Sequence, residues 1–324
     1  MGCNTMNFQI LNRGLSFIGL TLLLSVVGIA QPGSTANLID EAISFAKDGA
    51  YNDALLMIEP HLENGAKNDA RAWYVAGYSH KERYKDSAFR NASMSKTASA
   101  ERSIAVIQLL TAYELDKNSA FPGAISELVE DALDYLSKTY MNDAVKGVHG
   151  FQMGMDEEVM TYFKAFVKIK NVLSPDENWV REEVELEKNL AKANRILLES
   201  IDLNNPSSMQ KREALFEKVV SHYLRAIELD GRDYTARYNL AINLYNRGVS
   251  ELKSIDHTTS MFELMEIQDI CVLLFQEALE PMLEAHNMER NRMETLKGLM
   301  TIYRALSQNE ESEKYKRLLE EAIK

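Results

Sequence analysis

The sequence predicts an all-α protein built from repeated helical hairpins. Three observations carry this reading. Pro and Gly are scarce, 6 and 15 in 324 residues, and Ala, Leu, Glu and Lys are abundant, so most of the chain favours helix. After Gln31, apolar residues recur at three- and four-residue spacing in almost every long segment, and no strand-like alternation persists. The periodic runs also stop and restart at short polar turns. In AIELDGRDYTARYNLAINLYNRG (226–248) one run ends at Asp230-Gly231 and the next begins a few residues later.

The N-terminus lies outside this pattern. Arg13 is the one charged side chain among residues 1–30 and precedes GLSFIGLTLLLSVVGIA, an apolar run that ends in small residues at Gly28 and Ala30. A basic start, a short apolar core and small residues before a cut read as a secretory signal over 1–30, cleaved between Ala30 and Gln31. Residues 31–324 then form the repeat domain, in the periplasm or otherwise exported. The run is shorter than a spanning helix wants, so no stable membrane insertion is expected after cleavage; retention as an anchor is the alternative. Met6 is an alternative start. Cys3 precedes the apolar run and cannot be a lipidated residue that follows cleavage. Cys271, in IQDICVLLF, reads as a buried core thiol, which leaves the mature chain without an intramolecular disulfide.

The helices repeat. One class carries a small, a large and a small residue at spacings of four and three: Val219, Tyr223, Ala226; Ala105, Leu109, Ala112; Ala278, Met282, Ala285; and Ala54, Ile58, with His61 in the last place. Turns ENGAKND, ELDKNS and ELDGRD follow three of them. The alternate class reads Trp73, Ala76-Gly77, His80; Leu133, Leu136-Ser137, Tyr140; and Leu296, Leu299-Met300, Tyr303. Leu38, Ala42, Phe45 fits with Glu41 out of place, and the phase from Ala226 gives Arg237, Leu240-Ala241, Leu244. A small residue permits close crossing and a bulky one fills the adjoining groove. One such pair cannot bury its own face, so pairs stack.

These residues resemble the tetratricopeptide-repeat family, whose pattern is W-x2-L-G-x2-Y, then A-x3-F-x2-A, then Pro, in about 34 residues. The resemblance covers most of 35–324 and implies a right-handed solenoid of about six hairpins. It looks like the exported bacterial type. Only the first unit is near the family's length, and Lys117, Gly231 or Arg290 stand where its Pro is expected. Insertions are expected at 84–99, 146–157 and 249–260, between helices, and the phase of a helix at 180–203 is not fixed by the pattern. Ser174 with Pro175 reads as a helix start, as does the Pro and Ser of NNPSSMQKRE. Asn309 opens a charged C-terminal helix with one apolar stripe (Tyr315, Leu318, Leu319, Ala322, Ile323), suited to capping the stack.

Chemistry-bearing patterns are missing. The 6 His are scattered, no HExxH or paired Cys occurs, and GVHGFQMGM has neither the ending of a phosphate loop nor a strand before it. His61 and His80 read as core or boundary imidazoles, and His149 as a loop residue. Glu182, Glu183, Glu185 and Glu187 alternate with cations and read as a solvated face. No catalytic residue, metal site or cofactor is therefore predicted, and no nucleophile elbow is present. The formal net charge of −12 argues against nucleic-acid binding and adsorption to anionic membranes; it serves solubility, or a basic partner.

What remains is surface. In the family, the first helix of each pair lines a concave groove. The phase places Arg71, Tyr74, Tyr78 and Lys81 there in the second unit, Thr235, Tyr238, Ile242 and Tyr245 in the fifth, and Glu294, Lys297, Thr301 and Arg304 in the sixth. Tyr with Arg and Lys is good interface chemistry. The expectation is a non-enzymatic scaffold that grips a protein or peptide partner, as related exported solenoids do in envelope assembly or secretion. A glycan-binding accessory protein is the alternative, weakened because Trp73 is a core position and only Trp179 remains for a sugar platform. An enzyme ranks third. Oligomeric state is not legible.

Overall fold

The computed structural model describes residues 35–90, 96–120, 122–201, 208–290 and 292–323, so the expected signal and its cleavage point lie outside the described residues. Those described form twelve helices and no strand. They are α1 (Thr35–Lys47), α2 (Tyr51–Leu62), α3 (Ala70–Arg90), α4 (Lys96–Lys117), α5 (Ser126–His149), α6 (Asp156–Leu173), α7 (Val180–Glu199), α8 (Met209–Leu229), α9 (Tyr234–Lys253), α10 (Met261–Met288), α11 (Met293–Ala305) and α12 (Asn309–Ile323). No helix among these residues is long and apolar enough to cross a membrane. The chain divides into two compact units, one running to Thr139 with Lys168–Ser174, the other Tyr140–Val167 with Pro175–Lys324.

In the first unit, α1 pairs with α2 and α3 with α4, while α3 also packs on α1 and α2. The small–large–small code does the packing. Ala54 and Ile58 in α2 and Ala105, Leu109 and Ala112 in α4 are all fully buried. Gly77 lies so close to α4 that a Cβ on it would sit 2.8 Å from Leu109 Cγ and 3.0 Å from the Leu109 backbone nitrogen. Trp73 is buried, and its Nε1 donates to the Lys67 carbonyl at 2.8 Å, closing the turn six residues upstream. Gly49, at φ +77°, takes the left-handed conformation that ends α1 before α2 begins.

In the second unit, α7 pairs with α8, α9 with α10 and α11 with α12; α8 packs on α9, α10 on α11, and α11 on α9. Val219, Tyr223 and Ala226 share one core with Ala241, Ala278, Met282, Leu299 and Tyr303. The turn at Asp230-Gly231 has a local cause: Asp233 Oδ1 accepts from Ala236 N at 2.6 Å and caps α9. Arg237, at the Trp73-equivalent position, donates from Nη2 to the Gly231 carbonyl at 2.8 Å, again six residues upstream. The C-terminal helix α12 covers α11 through Tyr315, which stacks on Tyr303 with centroids 5.5 Å apart.

Several sequence expectations need correction. The inserted segments are partly helix: 84–90 extend α3 and 96–99 begin α4, 146–149 end α5 and 156–157 begin α6, and 249–253 end α9, while 150–155 and 254–260 lie between helices as expected. His149 is accordingly the last residue of α5, its Nδ1 2.8 Å from the Val145 carbonyl. Ser174 does not start a helix. Its N–H donates to the Lys170 carbonyl at 2.7 Å, and α7 begins only after Trp179. In α1 Ala42 is fully buried as expected, but Ile39, Ile43 and Ala46 fill the core beside it while the expected Leu38 and Phe45 are only half-buried, and this register places Glu41 in solvent.

Candidate functional site

Of the groove positions expected on α3, Tyr74 is only 2 % exposed and packs against Tyr78 at 5.8 Å. Tyr78 also meets Tyr51 at 6.3 Å, and Lys81 Nζ sits 4.4 Å from its ring centroid while pairing with Glu82 at 2.8 Å. Arg71 is held by Asp69 at 3.0 Å and Asp40 at 3.3 Å. Burial raises the Tyr74 hydroxyl pKa and lowers that of the Lys81 ammonium, the latter against the pull of Glu82. The α3 stripe is thus a packed, internally satisfied cluster, and Tyr74 presents almost nothing to a partner. Its Tyr and Lys are used between neighbouring helices, the outcome that burial of such amphipathic side chains favours.

On α9, Thr235 is exposed, and Tyr238, Ile242 and Tyr245 are half-buried, as Tyr78 is on α3, and pack against the core of the second unit. Tyr238 stacks on Tyr234 at 5.9 Å, and Tyr245 leans on Phe275 at 5.3 Å, so each ring is held by an aromatic neighbour. Arg292 lies 4.2 Å over Tyr234, whose hydroxyl pKa is pushed up to about 12 chiefly by burial. On α11, which packs beside α9, Lys297 and Arg304 are exposed, and neither has a carboxylate partner among the described residues. Glu294 is exposed and Thr301 half-buried, its Oγ1 donating to the Lys297 and Gly298 carbonyls. The α9 and α11 positions therefore keep more exposed surface than Tyr74 does.

A buried ionic cluster escaped the sequence reading. His222 on α8 has Nδ1 2.5 Å from Glu187 Oε2 and Nε2 2.8 Å from Asp156 Oδ1, and Asn194 Nδ2 donates to the same Asp156 oxygen at 2.6 Å. Burial pulls the imidazolium down, but the two carboxylates outweigh it and raise the His222 pKa; Asp156 is held below its usual range against its own burial by His222 and Asn194. Glu187 is 4 % exposed, so the solvated-face reading is wrong for this one residue. The signal was present: Glu187, Leu190-Ala191 and Asn194 repeat the spacing of Trp73, Ala76-Gly77 and His80 and set the phase of α7. His80 has a matching arrangement, between Glu101 at 2.6 Å and Glu59 at 2.8 Å.

Beside His222 opens a cleft of about 590 Å³, with Glu157, Lys164, Glu183, Lys218 and Arg225 on its rim. Within it Thr161 Oγ1 donates to the Glu157 carbonyl, and both His222 nitrogens are occupied by carboxylates. Among the described residues no group of three or more His, Cys, Asp or Glu side chains could hold a metal ion. Trp179, the remaining candidate for a sugar platform, is half-buried with its ring packed on Phe166 at 5.0 Å.

One further surface stands out. Cys271 is buried with Sγ 3.3 Å from the Gly248 carbonyl, yet on the same helix Phe262 is 71 % exposed, Met265 59 % and Leu273 58 %.

No family model matches the chain, and no curated protein matches it. Among solved structures, the human IFIT1 dimer with PPP-AAAA is similar at 12% identity and a TM-score of 0.22, over 89% of this chain and 72% of that one. The human IFIT1 dimer with m7Gppp-AAAA is similar at 12% identity and a TM-score of 0.24, over 88% and 71%.

Proposed function

We propose that this protein is a non-enzymatic, tetratricopeptide-like scaffold that binds an extended peptide segment of a protein partner along α9 and α11. The observation that carries the reading is the α9 row of Thr235, Tyr238, Ile242 and Tyr245, partly exposed with each Tyr ring held by an aromatic neighbour, beside Lys297 and Arg304 on α11, which are exposed and have no carboxylate partner among the described residues. Rigid aromatic rings give contact area at little entropic cost, and exposed cations add polar fixing points. The cations favour a segment with carboxylates near its apolar anchors.

A random peptide library selected on the full chain tests this. Enriched peptides are expected to bind at least about tenfold more weakly once Tyr238→Ala and Tyr245→Ala are introduced together, a loss of about 1.4 kcal/mol or more. Unchanged binding by a folded double variant would refute the assignment.

A further inference from the structure

The helix α10 has 28 residues and its hairpin partner α9 has 20. Cys271 and Phe275 both meet Gly248, so the antiparallel α9 ends before α10 begins, and the first two turns of α10 lie beyond α9 with Met261, Phe262 and Met265 uncovered by any described residue. Those turns are nevertheless apolar. Met261, Phe262 and Met265 are exposed, and Val272 and Leu273 continue the exposure one turn further on. Phe262, Met265, Asp269 and Leu273 recur at three- and four-residue spacing on the side away from buried Cys271, Phe275 and Ala278. An apolar row of this size left in water marks an interaction surface.

The charge on the same helix selects the occupant. α10 contains Glu263, Glu266, Asp269, Glu277, Glu280 and Glu284 and no Lys or Arg at all. Glu263 caps its own N-terminus and Glu284 pairs with Arg237, but Glu266, Asp269, Glu277 and Glu280 are exposed and have no cationic partner among the described residues. A second copy of α10 laid against the first would set like charges opposite one another, and an anionic lipid surface would be repelled in the same way.

We propose that the exposed face of α10 is a docking site for a cationic amphipathic helix of a partner protein, with apolar anchors seated among Phe262, Met265 and Leu273 and Lys or Arg side chains paired with the flanking acids. Flexible Met side chains let such a face adapt to anchors of different shape. The site is separate from the α9 and α11 row, so either assignment can fail without the other.

The test uses a labelled model helix of about 18 residues made of Leu and Lys in amphipathic order, titrated into the full chain by fluorescence anisotropy. Saturable binding is expected, weakening as salt rises from about 0.05 to about 0.5 M. Phe262→Ser with Leu273→Ser, which leaves every charge in place, should weaken it at least about tenfold, and so should Glu266→Lys with Asp269→Lys. All four positions are exposed, so circular dichroism should show unchanged helicity. Equal binding by the Ser variant would overturn the proposal, since the peptide would then be held only by overall charge. So would equal binding of a Leu and Glu peptide. Light scattering that finds a dimer in the wild type and a monomer in the Ser variant would also overturn it, with a second copy as the occupant.

Discussion

At the scale of single residues, the fold depends on where a Cβ can be tolerated. Gly77 faces backbone as well as a side chain: a Cβ there would lie 3.0 Å from the Leu109 nitrogen and 3.2 Å from the Ala105 carbonyl oxygen. Gly298 faces only the Met282 side chain, its nearest atom the terminal methyl at 2.6 Å. Gly77→Ala should therefore lower stability by about 1–3 kcal/mol, because α4 itself must move. Gly298→Ala should be near neutral, since Met282 can shift and the gain in helix propensity, about 1 kcal/mol, offsets the crowding. Urea denaturation of the two variants checks the contrast, and equal losses would contradict it.

The His222 cluster predicts a pH dependence of definite sign. A raised His pKa contributes stability that is full below the unfolded value, 6.5, and is lost as pH rises through the folded one. The lowered Asp156 pKa contributes above its unfolded value, 3.8, and is lost as pH falls through its folded value. The network is thus strongest between these limits. His222→Gln should cost roughly 3–5 kcal/mol near pH 5.5, the scale for breaking a buried ion pair, and the gap to wild type should narrow towards pH 9. Denaturant midpoints across this range measure it; a gap that widens with pH would contradict the account. This cluster also explains one failure of sequence reading. Glu187 and Asn194 occupy the outer signature positions of α7, and His222 approaches them from α8, so polar residues sit in places that a hydrophobic pattern scan expects to be apolar.

At the scale of elements, the small–large–small triples were legible because close crossing needs small residues at fixed spacing around one bulky one, and ten of their twelve members lie at 0 % exposure. Helix ends were less legible. The Asp233 cap reads directly from sequence, but Ser174 offers the same chemistry without capping, because its N–H continues the end of α6 by donating to the Lys170 carbonyl and α7 begins only after Trp179. Asp233 also takes Lys188 Nζ at 2.7 Å, which joins α9 to α7. Asp233→Ala should cost about 1–2 kcal/mol, whereas Asp233→Asn, which can keep the cap, should recover at least half of that in thermal unfolding. Equal losses would place the effect in the ion pair. The bounds of the insertions were less legible for a related reason: part of each extra segment lengthens a helix, and only contact with a neighbour tells which turns are covered. In α10 that lack of cover exposes an apolar row that periodicity alone assigns to a core.

At the scale of the whole molecule, the hairpin repeat and its neighbour-by-neighbour packing within each unit were readable, since each pair leaves an apolar face that the next must cover. The candidate surface was readable only in part. The spacing that puts Tyr74 on the same helix face as Tyr78 does not say that neighbours close over it, whereas the same spacing on α9 leaves Tyr238 and Tyr245 half-buried. Residue type marked the candidates, and packing between elements decides how much of each ring stays exposed. The most direct test of the scaffold reading is the affinity of library-selected peptides for the full chain and for its Tyr238→Ala, Tyr245→Ala variant. The account predicts saturable binding to the wild type and a loss of at least about tenfold in the folded variant. Equal affinity for the two proteins would contradict it.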